Sequence, residues 1–382
     1  MRARVASTAF PAAKARSAAH KTGRKRPDNA ALAYQTSILP GGSRTFALTI
    51  PQLPDQLETV VANAYLLCRI ADTIEDEPDL TAERKQYFQA LFKDVVGGRA
   101  AVEPFARELS EQLSEDVPQT ERELVRNTPT VLRVTRRFTV EQRAAIERCL
   151  DVMCGGMHHF ESQAGAEGLA DVEQFNDYCY YVAGVVGEML TDLFCNYSPV
   201  MAAHHDAMMK LAVDFGQGLQ MTNIIKDVWD DHSRRICWYP RDVFERHGFD
   251  LAQLSLDCHG AEFEAGVQDL IAMAHGHLRG ALAYILLIPA QETGIRLFCA
   301  WAVGMALLTL DKVNANLDFI DGKQVKISHQ AVAWTTLLTR ATARSDTGLT
   351  ALFNYAARRL PPPIAAEVSL PSRRTAGTPP RL

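Results

Sequence analysis

Apolar residues recur every three or four positions along nearly the whole chain, and strict apolar–polar alternation is almost absent. The clearest helical run opens at Asp55, just after Pro54, and ends before Pro78; others cover about 203–231, 262–288, 290–312 and 330–345. Local punctuation agrees. Thr81 caps a run that closes at Gly97-Gly98, and Thr139-Val140-Glu141-Gln142 and Asp171-Val172-Glu173-Gln174 read as capping boxes. The pattern predicts an all-α protein: one large helical bundle over residues 30–360 with no linker inside it. A basic arm (1–29) and a Pro-rich tail (361–382) flank it and are expected to be disordered. Leu39-Pro40-Gly41-Gly42-Ser43-Arg44-Thr45-Phe46 reads as a loop running into a helix, where Ser43, Arg44 and a helix N-terminus suit phosphate oxygens.

Two acidic clusters interrupt this apolar text. Asp72, Glu75 and Asp76 are spaced to share one helix face, and so are Asp227, Asp230 and Asp231. Like charges so close repel one another, and burying them without a partner is costly, so each cluster calls for a cation. Carboxylates without Cys or His favour Mg²⁺, which keeps several waters and bridges to phosphate oxygens. Polar stripes lead into both clusters: Tyr65, Arg69, Asp72, Asp76 in one, and Gln220, Asn223, Asp227, Asp231 in the other, with Lys226 one residue off the row. His232-Ser233-Arg234-Arg235-Ile236-Cys237-Trp238-Tyr239-Pro240 follows the second cluster and reads as a flap.

Composition narrows the class. The 382-residue chain is 47% hydrophobic with mean hydropathy -0.10, enough for a sizeable core. Net charge is -5, while the arm up to Pro27 holds cations and no acid, so the remainder is more acidic than the total and a poor nucleic-acid partner. No run reaches the roughly 18 uninterrupted apolar residues of a membrane span. Scattered cysteines without a Cys-x-x-Cys pair fit a reduced, cytoplasmic setting. A helical di-iron protein is disfavoured because no histidine has Glu three residues before it. A non-catalytic scaffold is disfavoured by the intact acid clusters.

Between the clusters lies Asp177-Tyr178-Cys179-Tyr180-Tyr181-Val182-Ala183-Gly184-Val185-Val186-Gly187-Glu188-Met189. Glycine inside a helix costs about 1 kcal/mol relative to Ala, tolerable where a neighbouring helix or a ligand chain comes close. Val182, Val186 and Met189 would then form an apolar wall, with Tyr178 one turn before it.

With these motifs in this order, the chain resembles the squalene and phytoene synthase family, which joins two prenyl diphosphates head to head. The likeness runs from about Tyr34 to Ser345. Asp72-Thr73-Ile74-Glu75-Asp76, Leu287-Ile288-Pro289 and Val325-Lys326-Ile327 are similar to the squalene synthase branch, most like bacterial forms. The resemblance implies a bundle of the class I isoprenoid synthase type with a central cavity. It implies farnesyl diphosphate as substrate, Mg²⁺ held by Asp72, Glu75, Asp76, Asp227, Asp230 and Asp231, and NADPH as reductant. Ser43, Arg44, Arg69, Gln220, Asn223, Lys226 and Lys326 would bind diphosphate or cofactor, Val182, Val186 and Gly187 the isoprenoid chain. Tyr178, supported by Tyr65 and Arg69, would steer or deprotonate a carbocation. Lys226 and Asp230 stand where the branch usually shows Arg and Glu, and Ser328 where a second basic residue is usual. A phytoene or dehydrosqualene synthase, which finishes without reduction, is the alternative. A monomer or weak dimer is expected, touching a membrane surface to release product.

Overall fold

The computed structural model describes residues 27–42, 44–161, 165–257 and 259–364; the basic arm through Arg26, Ser43, residues 162–164, Cys258 and the tail from Ala365 lie outside them. In chain order the helices are α1 (Pro27–Gly42), α2 (Arg44–Thr49), α3 (Asp55–Asp76), α4 (Ala82–Val96), α5 (Val102–Ser110), α6 (Gln119–Arg126), α7 (Thr128–Thr135) and α8 (Val140–Glu161). There follow α9 (Val172–Cys179), α10 (Val185–Tyr197), α11 (Pro199–Ala202), α12 (His205–Ser233) and α13 (Arg241–Glu245). The last four are α14 (Ala261–Leu287), α15 (Thr293–Asn314), α16 (His329–Thr342) and α17 (Asp346–Ala356). One π-helical turn, Tyr180–Gly184, joins α9 to α10. Among the described residues extended backbone pairs only at two isolated bridges, Gly165 with Cys237 and Leu169 with Pro240.

The local signals act as expected. Thr81 Oγ1 accepts from Arg84 N at 3.3 Å at the start of α4. At α8 the box is reciprocal, Gln142 N to Thr139 Oγ1 at 3.3 Å and Thr139 N to Gln142 Oε1 at 3.1 Å. At α9 it is offset: Asp171 Oδ1 accepts from Gln174 N, but Gln174 Oε1 reaches back to Ala170 N. One expectation fails. Residues 39–42 are not a loop but the end of α1, which runs through Pro40 to Gly42. A proline in the last turns forfeits one backbone bond without ending the helix at once. Gly41 lets α1 press on α6, where a Cβ would come within 2.6 Å of Thr120 Cγ2.

One continuous apolar core runs from α1 to α17. The long helices α12, α14, α15 and α10 pack on one another, with α3 and α8 beside them. By length and composition α14 and α15 are apolar enough to cross a membrane, yet 56% and 72% of their apolar stretches are buried within the fold. They are core helices. Some of the polar groups inside are matched closely. Asn63 Nδ2 donates to Gln35 Oε1 and to Val131 O, both at 3.0 Å, and its Oδ1 accepts from Thr135 Oγ1 at 2.7 Å. Buried Arg296 donates to Ile288 O and Ala343 O and pairs with Asp346, tying the α14–α15 corner to α16 and α17.

Candidate active site

Helices α3 and α12 line the same cavity, of about 940 Å³, and both grade from apolar to acidic toward their C-terminal ends. Along α3 the lining passes from Val61 through Tyr65, Cys68 and Arg69 to Asp72, Glu75 and Asp76; at 1.5 Å per residue that is about 22 Å of wall. Along α12 it passes from Phe215 through Leu219, Gln220 and Asn223 to Asp227 and Asp231. Each acidic cluster therefore occupies the last turns of its helix, where the unpaired carbonyls already carry partial negative charge. A carboxylate there is disfavoured by its own helix as well as by its neighbours.

The side chains answer this charge with arginine. Arg234, just past α12, places Nη2 2.6 Å from Asp231 Oδ1 and Nη1 3.3 Å from Asp76 Oδ1, so one guanidinium spans the gap between the two walls. Arg69 pairs with Asp72 at 3.2 Å and with Glu121 of α6, which also accepts from Thr73. Lys226 pairs with Asp227 at 2.7 Å. The compensation is partial. Burial pushes the carboxyls of both Asp72 and Asp231 up to about 6, Arg69 and Arg234 pulling back and neighbouring acids adding to the rise. Burial raises Asp227 as well, with Lys226 opposing. Among the described residues no three potential ligands already converge on one point. The donor set nonetheless fits Mg²⁺: hard oxygens on two facing walls, with the Arg234 guanidinium between them.

A third wall comes from α9, the π-helical turn and α10. Tyr178 is buried; its ring stacks on Trp238 of the flap (centroids 3.9 Å apart, 9° between planes) and meets Phe160 edge-on at 5.4 Å. Burial, reinforced by Glu75 and Asp76, holds its phenol well above the ordinary tyrosine range. Two glycines let this wall touch α12: a Cβ on Gly187 would lie 2.0 Å from Ala212 O, and one on Gly216 2.0 Å from Ala183 O. The cost of helical glycine is thus explained by helix–helix approach, which brings Val182, Val186 and Gly187 to the cavity. The π turn lies within the tyrosine-rich segment between α9 and α10, and such turns are frequent at functional sites.

Of the residues singled out from the sequence, Tyr65, Arg69, Asp72, Glu75, Asp76, Tyr178, Val182, Val186, Gly187, Gln220, Asn223, Asp227 and Asp231 line this one cavity. Asp230 and Lys226 do not. Asp230 is exposed on the neighbouring face, beside the loop at Gly322, and Lys226 is turned aside to Asp227 by its place one residue off the row. Lys326 is exposed in that same loop. Ser43 and the side chain of Arg44 lie outside the described residues. Sequence reasoning missed Glu121, on a separate helix with no motif around it, and Ile50 and Phe298, which with Phe46 of segment 39–46 close the apolar end. It named Arg234, Arg235 and Trp238 as flap without seeing that all three line the cavity. Arg235 sits in the left-handed region (φ 61), the one such non-glycine among the described residues.

An all-helical bundle with a long apolar cavity ending in two acidic helix termini is a fold of the class I isoprenoid synthase type. It is similar to solved structures of TcSQS with a bound ligand (TM-score 0.68, 23% identity, covering 87% of this chain and 98% of that one) and of a dehydrosqualene synthase with a ligand (TM-score 0.60, 20% identity, 83% and 98%). The model of the squalene/phytoene synthase family matches residues 39–331, and the chain belongs to that family. Among curated relatives, a squalene synthase of Schizosaccharomyces pombe is 29% identical over 298 residues, covering 76% of this chain and 61% of the relative. The squalene synthase BSS of Botryococcus braunii is 28% identical over 319 residues, covering 81% and 64%. The chain thus spans about three fifths of the length of these relatives.

Proposed function

We propose that this protein is a squalene synthase: it condenses two farnesyl diphosphates head to head through a cyclopropyl diphosphate and reduces the product with NADPH. The observation that carries the reading is the pair of acidic helix ends facing each other across the mouth of an apolar cavity. Asp72, Glu75 and Asp76 on one wall, with Asp227 and Asp231 on the other, would hold Mg²⁺, which when bound supplies the positive charge a leaving diphosphate needs. The curated relatives named above as squalene synthases support this choice within the family.

The chain's own residues define what happens around that centre. Arg69 and Arg234 would anchor diphosphate oxygens with guanidinium donors. Val182, Val186, Leu219, Met189 and Phe298 keep water and other nucleophiles away from a carbocation. Tyr178, whose phenol stays protonated throughout the neutral range and whose ring has one face covered by Trp238, would offer a neutral hydroxyl; steering of the cation fits it, whereas a free phenolate base does not. Tyr65, in ring contact with Phe46 at 5.3 Å, supports the adjoining wall. NADPH supplies hydride when bound. Exposed Lys326, in the loop that passes Asp227 and Asp230 at Gly322, would receive its phosphates, with Lys323 beside it. The protein is read as cytoplasmic and in surface contact with a membrane, since its product is a hydrocarbon.

Incubating the purified protein with farnesyl diphosphate and Mg²⁺, with and without NADPH, tests the reading. Squalene formed only with NADPH is expected. Dehydrosqualene as final product with NADPH present, or a C40 product from geranylgeranyl diphosphate, would overturn it in favour of an enzyme without the reductive half.

A further inference from the structure

Helix α16 carries its amphipathic pattern inside out. Trp334, Leu337 and Leu338 are 62%, 57% and 44% exposed, and Ala333 and Ala341 are exposed on the same face. Their spacing is that of a helical stripe which ordinarily faces a core. The inward side carries Val332, which packs with Ile327 and with Leu48 of α2 on Leu297, Trp301 and Met305 of α15. From Gly322 to Ser345 the chain contains no acidic residue, though Asp321 and Asp346 flank that stretch; Lys323, which pairs with Asp321 at 3.5 Å, and Lys326, Arg340 and Arg344 are all exposed. Arg340 is fixed by a 3.0 Å hydrogen bond to Gln52 Oε1 and by the Trp301 ring, and Arg344 donates to Thr293 Oγ1. Cations therefore stand at both ends of the apolar stripe.

We propose that α16 is a membrane-docking helix that lies on an anionic bilayer, with Trp334, Leu337 and Leu338 at headgroup depth and the flanking cations on lipid phosphates. This deepens, and rests on, the reading of a water-insoluble product. An uncharged stripe with one tryptophan, bordered by Lys and Arg and free of acids, has the composition of an interfacial helix. A second copy of the chain suits the same face less well, because a two-fold contact would set each copy's cations against their own counterparts. Position supplies the second observation. Phe46, Ile50 and Phe298 close the apolar end of the cavity, and Phe46 and Phe298 belong to α2 and α15, the helices that carry the cluster beneath α16. One layer of helices separates the greasy end of the cavity from the docking face, so product leaving there enters lipid.

The test is partition of the full-length protein onto vesicles of phosphatidylcholine with and without phosphatidylglycerol. Binding to the anionic vesicles is expected, weakened by added salt. The double variant Trp334→Ser, Leu337→Ser should partition at least about tenfold less, with unchanged thermal stability and unchanged turnover of detergent-dispersed substrate. Brominated phosphatidylcholine should quench tryptophan fluorescence in the wild type, and Trp334→Phe should lose most of that quenching while still binding. Equal partition of wild type and double variant would overturn the proposal and assign any binding to another region such as the basic arm. So would a concentration-dependent dimer abolished by the double variant, which would make the face a protein contact. Vesicle binding is read without catalysis. If squalene never forms but partition behaves as stated, the functional reading fails and the docking face stands. Normal squalene formation with binding that ignores α16 leaves the function standing and removes the docking face.

Discussion

Replacing Arg234 by alanine removes a side chain that holds both acidic walls, and the cost can be worked from its two contacts. The pair with Asp76, 3.3 Å long and about half in water at both partners, contributes roughly 0–1 kcal/mol. Asp231 is different: its side chain is only 11% exposed, so losing its partner leaves a nearly buried carboxylate uncompensated. Breaking a fully buried pair costs ~3–5 kcal/mol, which the half-exposed arginine reduces to ~1–2. The metal-free variant should therefore lose about 1–3 kcal/mol at neutral pH, a fall of a few degrees in Tm. Divalent cation reverses the comparison. In the wild type Mg²⁺ must displace Arg234 from at least one carboxylate; in the variant Asp76 and Asp231 lose that competitor, while Arg69 on Asp72 and Lys226 on Asp227 remain, and Mg²⁺ should bind about five- to tenfold more tightly. At saturating Mg²⁺ the stability deficit should shrink to that of an ordinary surface substitution, within ~0.5 kcal/mol. Thermal unfolding across a Mg²⁺ series, with calorimetric titration, reads both effects. A deficit independent of Mg²⁺, or an unchanged affinity, would refute the idea that arginine and metal compete for the same oxygens.

Three further outcomes follow from the same geometry. Gly216→Ala drives a Cβ to 2.0 Å from Ala183 O, a backbone atom that cannot step aside, so a loss of about 1–3 kcal/mol or more is expected by chemical denaturation; a variant as stable as the wild type would show that α12 and the π turn separate freely. Because Asp72 and Asp231 bind protons near pH 6 when folded but near the ordinary carboxylate value when unfolded, the folded state holds more protons between the two. These groups therefore make the metal-free protein more stable as pH falls from 7 toward 4, by about 1–3 kcal/mol each, seen in denaturant midpoints and flattened in Asp72→Asn and Asp231→Asn. Asp72→Asn or Asp227→Asn should lower turnover by about 10²–10³ with the circular dichroism spectrum unchanged; retained activity would remove those carboxylates from the site.

Much of this molecule is written in local order. Proline, glycine and capping residues mark α3, α4, α8 and α9 because such signals act within a few residues of where they stand. The two acidic clusters were legible for the same reason, since spacing of three and four brings side chains to one side of a helix, although Asp230 falls outside the cavity that Asp227 and Asp231 line. Even the glycines of Tyr178–Met189 announced a close approach, though not which helix would make it. Local order also set the limits. It read residues 39–42 as a loop, because proline and two glycines usually break a helix, and it could not foresee that packing on α6 would stabilise the last turn of α1.

What only tertiary structure decided is which charges meet across the chain. Asp76 and Arg234 are far apart in sequence and 3.3 Å apart in space. Glu121 reaches Arg69 from a helix that carries no motif, and Trp238 finds the face of Tyr178 only after the chain has turned back on itself. The turning of Asp230 away from the cavity, and the outward apolar face of α16, likewise depend on how helices rotate about their axes when the core packs. Residue type and spacing fix the face a side chain shares, since helical geometry is local. The partner opposite that face is chosen by packing the whole bundle at once, and no short stretch of sequence contains that choice.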